Sequence, residues 1–132
     1  KMKKKLHSFG INMGMLFQIK DDYIDYFQSS ENSGKMQMKD FVNGLYTYPL
    51  ILLKEKANKK DFIEIKQILS QKERGQNEIS RIQVLLSQYE IQKQIRGNLL
   101  NLSQDLIGFL KTFKESSIRK LIIEKIKELV ED

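Results

Sequence analysis

The chain has 132 residues, 40% of them hydrophobic and 30% charged, with one proline and no cysteine. That is long enough for one domain with a core and too apolar for a disordered chain. The absence of cysteine excludes a disulfide framework and a thiolate metal site, which fits an intracellular protein. The formal charge of +6 suits an anionic partner (nucleic acid, a membrane surface or a phosphorylated substrate) where the lysines do more than solvate helix faces.

The predicted elements are helical throughout. From Leu6 to Phe27, apolar residues recur at helical spacing, and the expected inward stripe is Phe9, Met13, Phe17 and Ile24. "SSENSGK", Ser29 to Lys35, is a turn-rich break, and "KMQMKDFVNG" is short and ambiguous. Thr47 is expected to cap a helix with Pro49 in its first turn, where the missing N–H does no harm, running through "LILLKEKA". A further helix spans Asp61 to Leu69, and "SQKERGQ" is a loop. "NEISRIQVLLSQY" follows, with Ile79, Ile82, Leu85 and Leu86 on one face. Ile91 to Phe113 reads as one long helix, with Ile95, Leu99, Leu102, Leu106 and Leu110 in register and Gly97 and Gly108 weakening it locally. "ESS" breaks it, and Ser117 is the expected cap of "IRKLIIEKIKELV". The class is all-α, with no internal repeat and no strand-like alternation.

The longest apolar runs, such as "LYTYPLILL", are too short to span a bilayer, so no transmembrane segment is expected. No signal-like stretch follows the basic start "KMKKKL", and a chain beginning on Lys1 is expected to be a piece of something longer. His7, the sole histidine, reads as a surface or packing residue, and Tyr46 and Tyr48 as packing at a helix start. Nothing resembles a base-reading motif, so nucleic acid is not an expected partner.

The stretch "FGINMGMLFQIKDDYID" sets three acids, Asp21, Asp22 and Asp25, among apolar residues. Residues three and four apart on a helix are neighbours, with Cβ atoms about 5–6 Å apart. Like charges at that distance repel by about 3 kcal/mol per pair at an effective dielectric of ~20. The nearest balancing charge is Lys20. A hard divalent cation removes the penalty, and oxygen-only ligands point to Mg²⁺, which usually shares its shell with waters and a substrate phosphate. Gly10 and Gly14 leave a helix face open to close approach by a helix or a ligand. By itself such an acidic string also suits a solvated helix face, and glycines so spaced also serve packing.

The full string Gly10-x-x-x-Gly14-x-x-Phe17-Gln18-x-x-Asp21-Asp22-x-x-Asp25 resembles the second aspartate-rich motif of the trans-polyprenyl diphosphate synthases. Gly34-Lys35, Asp40, Gly44 and Thr47-x-Pro49 follow in the family's order and near its spacing. The resemblance implies an antiparallel helical bundle of the isoprenoid synthase type, with residues 1–132 forming the C-terminal part of a single domain. It implies Mg²⁺-dependent head-to-tail condensation of an allylic diphosphate with isopentenyl diphosphate. Asp21 is then the main direct Mg²⁺ ligand, and Asp22 and Asp25 hold the metal's waters or complete its shell. Asp21, Asp22 and Lys35 carry the catalytic role, Lys35 by contact with the allylic diphosphate. Phe17 and Gln18 face the substrates, plain core packing being the other reading of Phe17. Asp40 shapes the following loop. The implied whole is a cytoplasmic homodimer, with a heteromer as the alternative.

The chain departs from the family pattern in two ways. Leu45 stands where many members have a lysine, which removes one diphosphate contact. The first aspartate-rich motif and the groups that bind isopentenyl diphosphate are absent from this sequence, so the chain alone is expected to be inactive. The rival readings are a non-catalytic helical subunit of a two-component synthase and, less well matched, a terpene cyclase.

Overall fold

The structure, a computed structural model, describes residues 1–28 and 38–131. Among them are α1 (Met2–Phe27), α2 (Lys39–Val42), α3 (Tyr48–Lys56), α4 (Lys59–Leu69), α5 (Gln76–Gln88), α6 (Ile91–Leu110) and α7 (Ser117–Val130). No strand occurs among the described residues, so the all-α expectation holds. Two units divide the chain: Lys1–Asp21 with Arg96–Asp132, and Asp22–Ile95.

In the first unit, Leu16, Ile19, Leu99, Leu106, Leu110 and Ile126 are buried. The Phe9 ring lies 5.3 Å from that of Phe109, which meets Phe113 edge-on. The α6 helix stops at Leu110, three residues short of the expected end. Its last turn tightens through Thr112 N–H to the Phe109 carbonyl and Phe113 N–H to the Leu110 carbonyl, 3.1 Å each. The cap of α7 is Ser116, one residue earlier than expected, and its hydroxyl accepts the Arg119 N–H at 3.1 Å. Both serines could cap, and only the backbone geometry selects between them.

In the second unit, Phe41, Leu50, Leu53, Ile65, Ile82, Leu85, Ile91 and Ile95 are wholly buried, and α3 packs on α5. The four α5 residues expected on one face, Ile79, Ile82, Leu85 and Leu86, are all buried. The α4 helix begins two residues before the expected start because Asn58 caps it, accepting the Asp61 N–H at 2.8 Å. Glu78 reaches back to the Gly75 N–H at 2.7 Å and secures the start of α5.

The expected inward stripe of α1 is corrected in its second half, Phe9 and Met13 being half-buried. Phe17 is 53% exposed and Ile24 43%, whereas Leu16, Ile19, Tyr23 and Tyr26 are buried. This helix is apolar around most of its circumference. Periodicity then fixes the angles between side chains but not which side is covered.

Candidate functional site

The acidic stretch occupies the second half of α1, and the structure separates its three members. Asp21 is exposed, Asp22 is 4% exposed and Asp25 is half-buried. Asp22 accepts the Tyr48 N–H on Oδ2 at 3.1 Å. Asp25 accepts the Lys39 N–H on Oδ1 and the Asp40 N–H on Oδ2, both at 3.1 Å, while its own carbonyl accepts the Met38 N–H at 2.9 Å.

These contacts have a common physical cause. Tyr48 is the first residue of α3, and Lys39 and Asp40 are the first two of α2. The opening amides of a helix have no intrahelical acceptor and carry partial positive charge. Neither helix is capped by its own side chain: Met38 has none to offer, and the hydroxyl of Thr47 makes no cap bond. Thr47 does occupy the capping position, as the sequence suggests, but Asp22 performs the capping. Two acids of α1 thus cap the next two helices, and charge-assisted bonds of about 1.5–3 kcal/mol each offset much of their mutual repulsion.

The remaining motif residues share an exposed face. Gly10, Gly14, Phe17, Gln18 and Asp21 are all exposed, and at ~100° per residue they fall within an arc of about 100° on α1. A Cβ built on Gly10 or Gly14 would meet nothing within 4 Å. Phe17 is therefore not core packing. Lys20, the expected balancing charge, is buried and donates to the Glu131 carbonyl at 3.0 Å. Gly34 and Lys35 lie outside the described residues. Among the described residues, no group of three or more His, Cys, Asp or Glu side chains gathers as a metal cage.

The loop after α2 is built on the same frame. The Asp40 carbonyl accepts the Leu45 N–H at 2.9 Å, and the Phe41 carbonyl accepts the Gly44 N–H at 3.1 Å. Gly44 has φ +85°, a conformation that calls for glycine. Tyr46 does not pack at the helix start as expected; it is 50% exposed, with the Lys54 ammonium 5.1 Å from its ring centre. The buried Tyr26 phenol is pushed well above the ordinary tyrosine range, chiefly by burial; the Thr47 hydroxyl pulls it down, and Asp25, Asp40 and Asp22 add to the rise. It stays protonated, a neutral group among acids.

The sequence pattern of the polyprenyl synthetase family matches residues 1–86. The chain belongs to that family. The match covers the whole acidic stretch and every motif residue through Pro49. Geranylgeranyl pyrophosphate synthase 4 of Arabidopsis thaliana is 43% identical over 61 residues, which are 46% of this chain and 16% of that protein. The chloroplastic geranylgeranyl pyrophosphate synthase of Capsicum annuum is 46% identical over 54 residues, 41% of this chain and 15% of that protein. The chloroplastic solanesyl diphosphate synthase 2 of Arabidopsis thaliana is 38% identical over 55 residues, 42% of this chain and 13% of that protein. The matched stretch is thus under a fifth of the length of these relatives. A crystal structure of geranylgeranyl pyrophosphate synthase from Corynebacterium glutamicum, complexed with calcium and isoprenyl diphosphate, is similar over 92% of this chain and 37% of its own, with TM-score 0.75 and 21% identity. That likeness gives the fold, an all-α isoprenoid synthase bundle.

Spacing alone did not reveal the partners of the acids, the amides of Lys39, Asp40 and Tyr48. One signal was available. "MKDFV" and "TYPL" open helices, and the first has an apolar residue, Met38, in the capping position. A helix start without its own cap asks for one from elsewhere.

Proposed function

We propose that this chain is the C-terminal part of a Mg²⁺-dependent prenyltransferase that condenses an allylic diphosphate with isopentenyl diphosphate, head to tail. The observation that carries the reading is the exposed α1 face bearing Gly10, Gly14, Phe17, Gln18 and Asp21, beside two acids already docked on backbone amides. The relatives are named as geranylgeranyl and solanesyl diphosphate synthases, and the solved neighbour is described with a divalent cation and an isoprenyl diphosphate.

The donor set fits Mg²⁺. This ion keeps several waters and takes one or two carboxylates together with substrate phosphates, rather than a dedicated protein cage. Asp21 offers an exposed carboxylate that would be the main direct ligand, and Asp22 and Asp25, each held by backbone amides, would hold the ion's waters or complete its shell. Bound Mg²⁺ would supply charge neutralisation of the departing diphosphate. In the condensation the allylic C–O bond breaks with its electron pair leaving on the diphosphate, the isopentenyl double bond supplies the electron pair of the new C–C bond, and the resulting cation gives up a proton to the released diphosphate. Lys35 contributes a point charge to the allylic diphosphate. Phe17 and Gln18 face the cavity near the two substrates.

On this reading the 132 residues are inactive alone, and the full-length protein acts as a cytoplasmic homodimer, although several relatives carry chloroplastic or mitochondrial names. No helix among the described residues is long and apolar enough to cross a membrane. The test is Mg²⁺-dependent incorporation of radiolabelled isopentenyl diphosphate by the full-length protein. Normal turnover with both Asp21→Ala and Asp22→Ala in place would overturn the reading.

A further inference from the structure

We propose that Arg74 is a positioning residue for the acidic stretch, acting through α2. The physical grip stands on the structure alone; its consequence for catalysis rests on the metal reading above.

The α2 helix has four residues, Lys39–Val42, too few to be stable by itself. It follows Met38, which has φ 59° and is wholly buried. Such a turn must be held from outside, and it is held at both ends. At the start, the Asp25 carboxylate takes the Lys39 and Asp40 N–H groups. At the end, Arg74 Nη1 donates to the Phe41 carbonyl at 2.9 Å, and Nη2 donates to the Leu69 carbonyl at 2.8 Å. The guanidinium also stacks 4.9 Å from the centre of the buried Phe41 ring.

Leu69 is the last residue of α4, which is anchored in the core by Ile65 and Ile68. Arg74 therefore bolts the last turn of α2 to a fixed element. A carboxylate at the start and a guanidinium at the end both complement the helix dipole. The site suits arginine: donors on two separate nitrogens and a planar face are used together, and a lysine has one nitrogen and no planar face. The Phe41 carbonyl also accepts the Gly44 N–H, so the same grip fixes the turn leading to Leu45. Without it, the two amides that hold Asp25 lose their fixed position, and Asp25 loses its α2 partners.

The experiment compares full-length Arg74→Met and Arg74→Lys proteins with the parent. Amide hydrogen exchange at Lys39 and Asp40 is measured without ligands, and the Mg²⁺ concentration for half-maximal activity is measured alongside kcat and KM. Arg74→Met is expected to speed exchange at those two amides about tenfold or more, leave the Leu85 and Leu86 amides unchanged, and raise the Mg²⁺ half-saturation several-fold. Arg74→Lys, which keeps the charge and the stem, falls between, and it serves as the test should the methionine protein not fold. Unchanged exchange at Lys39 and Asp40 overturns the grip. Faster exchange with unchanged Mg²⁺ half-saturation overturns the link to the acidic stretch. An Asp21→Ala protein with the parent's Mg²⁺ dependence overturns the metal reading and the catalytic half of this proposal with it, a result the exchange data do not depend on.

Discussion

The Asp22 carboxylate caps a helix that begins 26 residues later, accepting the Tyr48 N–H at 3.1 Å from a side chain only 4% exposed. Asp22→Ala leaves that amide without its acceptor, and the expected cost is about 2–3 kcal/mol of stability. Asp22→Asn keeps an acceptor and loses the charge, for about 1 kcal/mol. Urea unfolding of the two variants against the parent measures both.

Asp21 should behave in the opposite way. It is exposed on the open face of α1, so Asp21→Ala is expected to change stability by less than about 0.5 kcal/mol. On the proposed metal reading, activity of the full-length protein should fall on the order of 100-fold or more, the scale of losing one ligand that stabilises transition-state charge. Steady-state kinetics across a Mg²⁺ series, with urea unfolding in parallel, separates the two effects.

Glu90 sits in the turn between α5 and α6 with φ 53°, a left-handed conformation that costs a side-chain-bearing residue about 1–2 kcal/mol. Glu90 is exposed, and its carbonyl accepts the Gln94 N–H, so the backbone geometry is fixed by the helix that follows. Glu90→Gly is expected to stabilise by about 1 kcal/mol and raise Tm by a few degrees. Met38, with φ 59°, should not respond in the same way, because a glycine there surrenders a fully buried side chain. Thermal unfolding of both variants checks the contrast.

Two phenols should titrate late. Tyr26 is raised chiefly by burial, and Tyr89 chiefly by donating to the Asp61 carboxylate at 2.6 Å. A folded pKa above the unfolded value means that the unfolded chain releases its proton first. The stabilisation is therefore fully present below about pH 10 and is lost as pH rises through the folded pKa. Phenolate absorbance should show a component ionising above the ordinary tyrosine range that shrinks in Tyr26→Phe and, separately, in Tyr89→Phe. A late component left unchanged by both substitutions while the protein stays folded would contradict this.

The helices were legible because their apolar residues repeat at helical spacing: the stripes of α5 and α6 needed only the sequence. Their ends were less legible. Ser116 and Ser117 are chemically equal candidates for a cap, and Asn58 precedes two lysines that carry no apolar signal. The acidic motif was readable as a string because its residue types and spacing survive without coordinates.

By itself the sequence determined that α1 carries three carboxylates on adjoining positions, and that its glycines, Phe17 and Gln18 belong with them. The tertiary structure alone decided how the acids divide. Asp22 and Asp25 turn to the opening amides of α3 and α2, and Asp21 remains open to solvent. The division depends on where two later helices begin in space. A burial of polar groups is settled by which donors arrive beside them, and local spacing along one helix contains no record of that.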